Sequence, residues 1–158
     1  MSKPAKHQSQ GLKIQKEVWI TGTANTTVAE GTAVTYDRTI GVATEADERR
    51  DNHVKIANST DKASFAGVLD RDVSIPSTGK ARCLINEPGS VCIVLSDIAT
   101  TINSTGLVAS ATSGTEGEFI ADGGKTGRGT ALALQTIGSA GLCLVKLHEG
   151  PEADLPDA

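Results

Sequence analysis

The sequence predicts an all-β protein, a compact β-sandwich or β-barrel of about 8–11 short strands with an extended N-terminal arm. Hydrophobic residues make up 38% of the 158 residues but aromatic residues only 3%, so the core must consist of Val, Ile, Leu and Ala, which suits sheet packing. The 17 glycines indicate many turns between short elements. Few segments have the periodicity of a helix, which also favours an all-β fold.

The length favours one domain, which we expect to be flanked by two polar ends. Residues 1–16 are polar and basic, so we predict a flexible N-terminal arm. Residues 17–148 are predicted to form the β-rich domain. Residues 149–158 carry several acidic residues and no core pattern, so they are expected to form an acidic, solvated tail.

Eleven segments have the length and composition of strands, each bounded by polar residues or glycine. Helix signals are weak, and the best candidate covers residues 97–102, with Ser96 or Asp97 as its N-cap. The predicted strands cover residues 17–21, 32–37, 39–46, 53–57, 64–70, 81–85, 90–96, 106–110, 117–121, 130–137 and 141–147.

Turn chemistry at residues 86–89, Asn-Glu-Pro-Gly, lies between two apolar runs and predicts a β-hairpin. If Ile85 pairs with Ser90, the antiparallel register places Cys83 opposite Cys92. We expect free thiols there, because a protein made in the cytoplasm is normally reduced and directly opposed positions often give poor disulfide geometry. A cross-strand disulfide is the alternative.

Both faces of this predicted hairpin are apolar, and residues 141–147 show a similar pattern. Strands that are buried on both faces occur at the centre of a sandwich or where a second subunit covers one sheet face. We therefore predict that a set of aliphatic residues belongs to the core or to an oligomer interface. The set is Leu84, Val91, Ile93, Leu95, Leu142 and Leu144.

No motif in the sequence is typical of catalysis, so we expect a non-enzymatic protein without a cofactor or a metal. The three cysteines lack paired CxxC spacing and are expected to be buried small hydrophobes. The segment GGKTGRG at residues 123–129 fails the phosphate-loop spacing, because Phe119 stands where a glycine is needed. Its Lys125 and Arg128 are candidates for contact with an acidic partner. His53 is the one histidine that lies away from the N-terminal arm and the C-terminal end, and no nucleophile motif accompanies it.

Charge and hydropathy argue against two classes of direct partner, nucleic acids and membranes. The formal net charge of −4 lacks the attraction that drives non-specific nucleic-acid binding, so no direct nucleic-acid partner is expected. No apolar run approaches the roughly 20 residues that span a bilayer, and residues 1–16 lack an apolar signal region. We therefore expect a protein made in the cytoplasm with no membrane partner.

Three segments carry a resemblance to a known family. They are TALALQTIGSAGLCLVKL at residues 130–147, TIGVATEA at 39–46 and SFAGVLDRD at 64–72. Together with the short predicted strands and turns between them, these segments resemble head decoration (cement) proteins of tailed bacteriophages over about residues 17–147. The resemblance implies a structural virion protein on the outer capsid surface, often a trimer, that stabilises contacts between major capsid subunits.

Under this resemblance the major capsid protein is the expected partner, and the chain is expected to form a homo-oligomer, specifically a trimer. The N-terminal arm would then become ordered against the shell. The residues predicted to dock on the capsid are Lys3, Lys6, Leu12, Lys13, Ile14 and Lys16.

Two alternatives belong to other functional classes. A tail-fibre, baseplate or adhesin module that binds a host surface receptor would need aromatic residues in exposed loops for sugar stacking, and the sequence has few aromatics. A small β-barrel hydrolase or ligand-binding protein would need a pocket in which polar groups converge, and the sequence indicates none.

Overall fold

The structure is a computed structural model, and it describes residues 12–37, 52–58 and 65–150. Within these ranges the chain forms twelve strands and no helix, so the predicted all-β class is confirmed. The strands are β1 (Gln15–Thr21), β2 (Thr26–Val28), β3 (Ala33–Tyr36), β4 (His53–Ile56), β5 (Phe65–Leu69), β6 (Val73–Ile75), β7 (Lys80–Asn86), β8 (Val91–Ser96), β9 (Gly106–Ala109), β10 (Phe119–Ala121), β11 (Thr130–Ala133) and β12 (Gly141–Leu147).

Ten of these strands close into two five-stranded barrels. The first barrel has the strand order β1-β4-β3-β5-β7, and the second has the order β10-β8-β12-β11-β9. Strands β2 and β6 pair with each other in a two-stranded ribbon. The barrel prediction therefore holds in the form of two small barrels that follow one another along the chain.

The two barrels have the same topology. In each barrel the first strand in chain order lies parallel to the third and antiparallel to the fifth, and the remaining neighbours are antiparallel. The registers also correspond, because the pair Trp19 and Arg82 of the first barrel occupies the place of Leu95 and Leu142 in the second. The barrels are thus equivalent units, although the sequences of their strands differ.

Hydrogen bonds confirm this equivalence. In the first barrel the Asp70 N–H donates to the Leu84 carbonyl, and in the second the Leu134 N–H donates to the Leu144 carbonyl at the corresponding place. With this correspondence, the segment ARCLI at 81–85 of β7 aligns residue for residue with GLCLV at 141–145 of β12.

Alternation along each strand fills the barrel interiors with aliphatic side chains, because successive residues of a strand point to opposite faces. The first barrel packs around Ile20, Val34, Val54 and Ile85, all of them fully buried. The second barrel packs around Val94, Leu107, Phe119, Val145 and Leu147.

The barrels share a core where they meet. Phe65 of β5 and Phe119 of β10 are both fully buried, and their rings pack edge to face with centroids 6.5 Å apart. Backbone groups cross the same boundary, since the Ala33 N–H donates to the Gly117 carbonyl over 2.7 Å. The two barrels are therefore joined by apolar burial and by hydrogen bonds.

The predicted hairpin across residues 86–89 is wrong. Strand β7 pairs with β1 and β5 of the first barrel, and strand β8 pairs with β12 and β10 of the second. The turn residues therefore link the two barrels, because each apolar run gains more by closing its own barrel than by pairing across the turn. Cys83 and Cys92 consequently lie in different barrels. All three cysteines are buried, as predicted, and free.

The predicted helix at residues 97–102 is also wrong. The Thr100 N–H and carbonyl are bonded to Ile137, so they are not available for a helical turn. Ser96 caps no helix, because its hydroxyl bonds to the backbone of Ile98 in a tight turn. Other differences are small: β11 ends at Ala133 rather than at residue 137, and the short strands β2 and β6 were missed. The predicted strand at residues 39–46 lies outside the described residues.

Gly31 provides a test of the contact between the barrels. Its φ is +83°, its carbonyl accepts the Leu95 N–H over 2.9 Å, and a Cβ there would lie 2.6 Å from the Leu95 nitrogen. We expect Gly31→Ala to lower the free energy of unfolding by about 3 kcal/mol, because backbone strain and a steric clash add. Gly114 has a φ of +94° with nothing within 4 Å, so Gly114→Ala should cost only about 1 kcal/mol. Urea unfolding of both variants measures the difference, and equal losses would contradict the close packing at Gly31.

Candidate functional site

The second barrel carries an aliphatic surface on its outer side. The inward residues of β8 are Cys92 and Val94, so the residues between them point outward. Across the ladder Leu142 lies opposite Leu95, and Leu144 lies opposite Ile93. We call this surface the aliphatic face, and its members are Val91, Ile93, Leu95, Leu132, Leu134, Leu142 and Leu144.

Exposure of the aliphatic face is partial. Leu142 is 47% exposed, and the other members are half-buried. The charged residue that interrupts the ladder is Lys146, whose ammonium group donates to the Gly89 carbonyl over 2.7 Å. Adjacent apolar side chains at a surface are typical of sites that bind other proteins.

Five of the six residues predicted for the core or an oligomer interface meet on the aliphatic face. Leu84 is the exception, because it lies on β7 of the first barrel. None of the six belongs to the buried core, so the interface alternative remains a prediction. Sequence reasoning missed Leu132 and Leu134, although their alternation with Ala131 and Ala133 in a predicted strand was a usable signal.

The corresponding surface of the first barrel has a different chemistry. Gln15, Glu17 and Trp19 occupy the places of Val91, Ile93 and Leu95. The Glu17 carboxylate forms an ion pair with Arg82, and the Arg82 guanidinium lies 5.3 Å from the centroid of the Trp19 ring. The same fold therefore presents a polar face on one barrel and an aliphatic face on the other, so the apolar character is not required for folding.

The predicted docking residues of the arm divide into two groups. Lys3 and Lys6 lie outside the described residues. Leu12 is 63% exposed, and its carbonyl accepts the Val91 N–H over 2.7 Å at one end of the aliphatic face. The Ile14 N–H donates to the Ser90 hydroxyl over 2.8 Å.

Residues 15 and 16 belong to β1, two residues earlier than the predicted start of the domain. The Lys16 ammonium lies 5.2 Å from the centroid of the Tyr36 ring. Residues 12–16 are therefore part of the folded body.

A network of polar side chains connects Lys13 and Gln15 to Asp70 and Asn86 of the first barrel. The Lys13 ammonium and the Asn86 carboxamide both donate to Asp70 Oδ1, each over 3.1 Å, and the Gln15 side-chain amide donates to Asn86 Oδ1 over 3.1 Å. Partial burial of Asp70 favours its neutral form, but the hydrogen bond from Asn86 and the charge of Lys13 outweigh burial and hold its pKa below the ordinary value. The carboxylate is thus the centre of the network.

Other ionisable groups show the effects of burial. Burial raises the pKa of the Cys83 thiol to about 11, with a contribution from Glu17, and the pKa of the Cys92 thiol to about 12. The pKa of Glu118 is raised by partial burial and by the neighbouring Asp97. Both thiols are therefore protonated at neutral pH, the state in which a cysteine is a poor nucleophile.

The segment GGKTGRG leads into β11, as predicted, and the hydroxyl of Thr130 lies 2.8 Å from His148 Nδ1. His53 is half-buried at the start of β4. Among the residues that the structure describes, no group of three or more His, Cys, Asp or Glu is placed to hold a metal ion. No helix long and apolar enough to cross a membrane occurs in the described ranges.

No family model and no curated protein matches the chain.

The Asp70 network predicts a specific loss of stability in acid. The folded pKa is depressed, so the carboxylate stabilises the fold above its unfolded pKa of about 4, and this contribution is lost as the pH falls through the folded value. We expect the loss to be about 1 kcal/mol, because Lys13 is half exposed to solvent. The variant Asp70→Asn should be less stable than the parent at pH 7 and should lose less stability between pH 5 and pH 2. Urea unfolding of the parent and of the variant at several pH values in this range measures how the free energy of unfolding changes with pH. The same pH dependence in both proteins would contradict the stabilising role of the Asp70 carboxylate.

Proposed function

We propose that this protein is a structural component that works by binding other protein surfaces, and specifically a decoration protein on the head of a tailed bacteriophage. The aliphatic face of the second barrel is the observation that supports the binding role most directly. The specific assignment rests on the sequence resemblance. In this proposal the chain forms a homo-oligomer, a trimer, and attaches to the outside of the capsid.

The contrast between the two barrels supports self-association through the aliphatic face. A surface of seven aliphatic side chains is unfavourable in water, at about 25 cal/mol for each Å² left exposed. The equivalent surface of the first barrel shows that this fold tolerates polar residues there. The aliphatic residues are therefore best explained by a partner that covers them.

The proposed oligomer and the capsid contact use different parts of the chain. The aliphatic face holds the copies together, and residues 1–11 with Lys3 and Lys6 are left for the capsid. Because residues 12–14 are bonded to the linker and to β8, the N-terminal segment departs from one end of the aliphatic face. An oligomer would thus present several identical segments at once, and simultaneous binding at several capsid sites raises the overall affinity.

The four aromatic residues also favour this proposal over a receptor-binding module. Phe65 and Phe119 are fully buried, Tyr36 is half-buried, and Trp19 is 37% exposed beside Arg82. A sugar-binding surface usually stacks several exposed aromatic rings against its ligand, and these side chains do not form such a set.

Introducing charged residues into the aliphatic face tests whether this face forms the oligomer interface. We expect Leu142→Lys with Leu144→Lys to weaken self-association at least about a hundredfold, because two ammonium groups would be buried without partners in the interface. Trp19→Lys is the control, since it adds a single lysine to the equivalent surface of the first barrel. Light scattering after size exclusion measures the mass of each variant. An unchanged oligomer in the double variant, or a monomeric parent protein, would contradict the role of this face.

Deletion of residues 1–11 tests the capsid contact. We expect the deleted variant to lose cosedimentation with purified phage heads but to keep the oligomeric mass of the parent, because β1 and residues 12–14 are retained. A shorter deletion is preferable to removal of residues 1–16, which would also remove the hydrogen bonds of Ile14 and part of β1. Ser113→Ala, which lies outside both proposed contacts, is the control and should leave cosedimentation intact. Full binding by the deleted variant would show that the N-terminal segment is not the docking element.

A further inference from the structure

An amine, a carboxylate and a carboxamide meet at one oxygen atom of the first barrel. Asp70 Oδ1 accepts a hydrogen bond from the Lys13 ammonium and another from the Asn86 carboxamide nitrogen, each over 3.1 Å. The two nitrogens therefore lie at most twice this distance apart. Lys13 precedes β1, Asp70 follows β5 and Asn86 ends β7, so the fold brings together groups that are distant in the sequence.

Burial separates these groups from water to different extents. Asn86 is 1% exposed, and the side chain of Asp70 is 10% exposed. The side chain of Lys13 is 52% exposed, so its ammonium reaches the carboxylate from the solvent side. The carboxamide is thus shielded from attack by water, while a primary amine lies close to it.

A fourth side chain polarises the carboxamide. The Gln15 side-chain amide donates to Asn86 Oδ1 over 3.1 Å. Attack of a nucleophile on the carboxamide carbon would place negative charge on this same oxygen. A donor already directed at the oxygen stabilises such charge as it develops.

The Asp70 carboxylate has the contacts that a proton carrier needs. Partial burial favours its neutral form, but the hydrogen bonds from Asn86 and Lys13 hold the pKa of Asp70 below the ordinary value, so the group is charged at neutral pH. It contacts both the amine and the amide nitrogen. The carboxylate can therefore accept a proton from the first nitrogen and donate it to the second.

The second barrel shows that the fold does not require this arrangement. By the correspondence of the two ladders, the place of Asn86 is taken there by Lys146, and the place of Asp70 by Leu134. The Lys146 ammonium donates to a backbone carbonyl, that of Gly89. The combination of amine, carboxylate and carboxamide is thus specific to the first barrel.

We propose that Lys13 and Asn86 form an isopeptide bond within the chain, with Asp70 as the catalytic proton carrier. The Lys13 ammonium transfers a proton to Asp70, and the free amine attacks Asn86 Cγ. Gln15 stabilises the charge on Oδ1, Asp70 gives its proton to Nδ2, and the Cγ–Nδ2 bond breaks. Ammonia leaves and takes the surplus proton from the new amide nitrogen. An ammonium group and a carboxamide thus become a secondary amide and an ammonium ion, without an oxidant or a further reactant.

The bond would close a covalent loop from residue 13 to residue 86, which contains every strand of the first barrel. Such a loop suits a structural protein, but the inference does not depend on the proposed function, because the reaction occurs within one chain. Lys13→Arg prevents the bond and leaves Asp70 a cationic partner. The acid stability of Asp70 is therefore compared in this background wherever the parent is already linked.

Mass spectrometry of the intact, full-length protein tests the inference. After prolonged incubation at neutral pH, the folded protein should weigh about 17 Da less than its sequence, the mass of one ammonia, whereas a chain kept unfolded in urea should not react. Trypsin should then release a branched peptide that joins residues 7–16 to residues 83–125, because the acylated Lys13 is not cleaved. A folded parent with the full mass overturns the inference. A lost ammonia without the branched peptide also overturns it.

Four variants test the role of each group. Lys13→Arg and Asp70→Asn should each abolish the loss of ammonia, and Gln15→Ala should slow it at least about tenfold. Lys16→Arg is the matched control and should react like the parent, because Lys16 lies against the Tyr36 ring. A cooperative urea transition shows which variants are folded. A branched peptide in Lys13→Arg would overturn the bond, and a parental rate in folded Asp70→Asn would overturn the role of the carboxylate.

Discussion

Closure of a five-stranded sheet is the constraint on which the rest of the structure depends. A ring of five strands pairs most backbone groups internally and encloses one set of alternating side chains. The enclosed set must be apolar, and in both barrels it consists mainly of small aliphatic residues. The outward set is free to differ, which explains how equivalent strands carry Glu17 in one barrel and Ile93 in the other.

Local patterns predicted the strands well and their partners poorly. Ten of the eleven predicted segments coincide with strands, because alternation and turn residues are local signals. The hairpin error arose because Pro88 and Gly89 mark a turn without deciding whether the flanking strands pair with each other. The error at residues 97–102 has a similar cause, since the bond between Thr100 and Ile137 joins distant parts of the chain. Closure of two separate rings depends on such distant pairings, and no short window of sequence contains them.

The candidate site was predicted in part for the same reason. Five members of the aliphatic face were selected because the apolar residues of β8 and β12 left no polar side to either strand. Their convergence on one outer surface became apparent only with the register of β8, β12 and β11. Leu84 was grouped with them through the false hairpin, and it instead lies on β7 of the first barrel.

The shared boundary between the barrels has a consequence for how the chain folds. Phe65 and Phe119 complete one core from two rings, and residues 12–14 bond to the linker and to β8 before the chain enters the first barrel. Neither ring retains its full set of contacts once the other is lost. We therefore expect the two barrels to unfold together as a single cooperative unit, although each has the topology of an independent module.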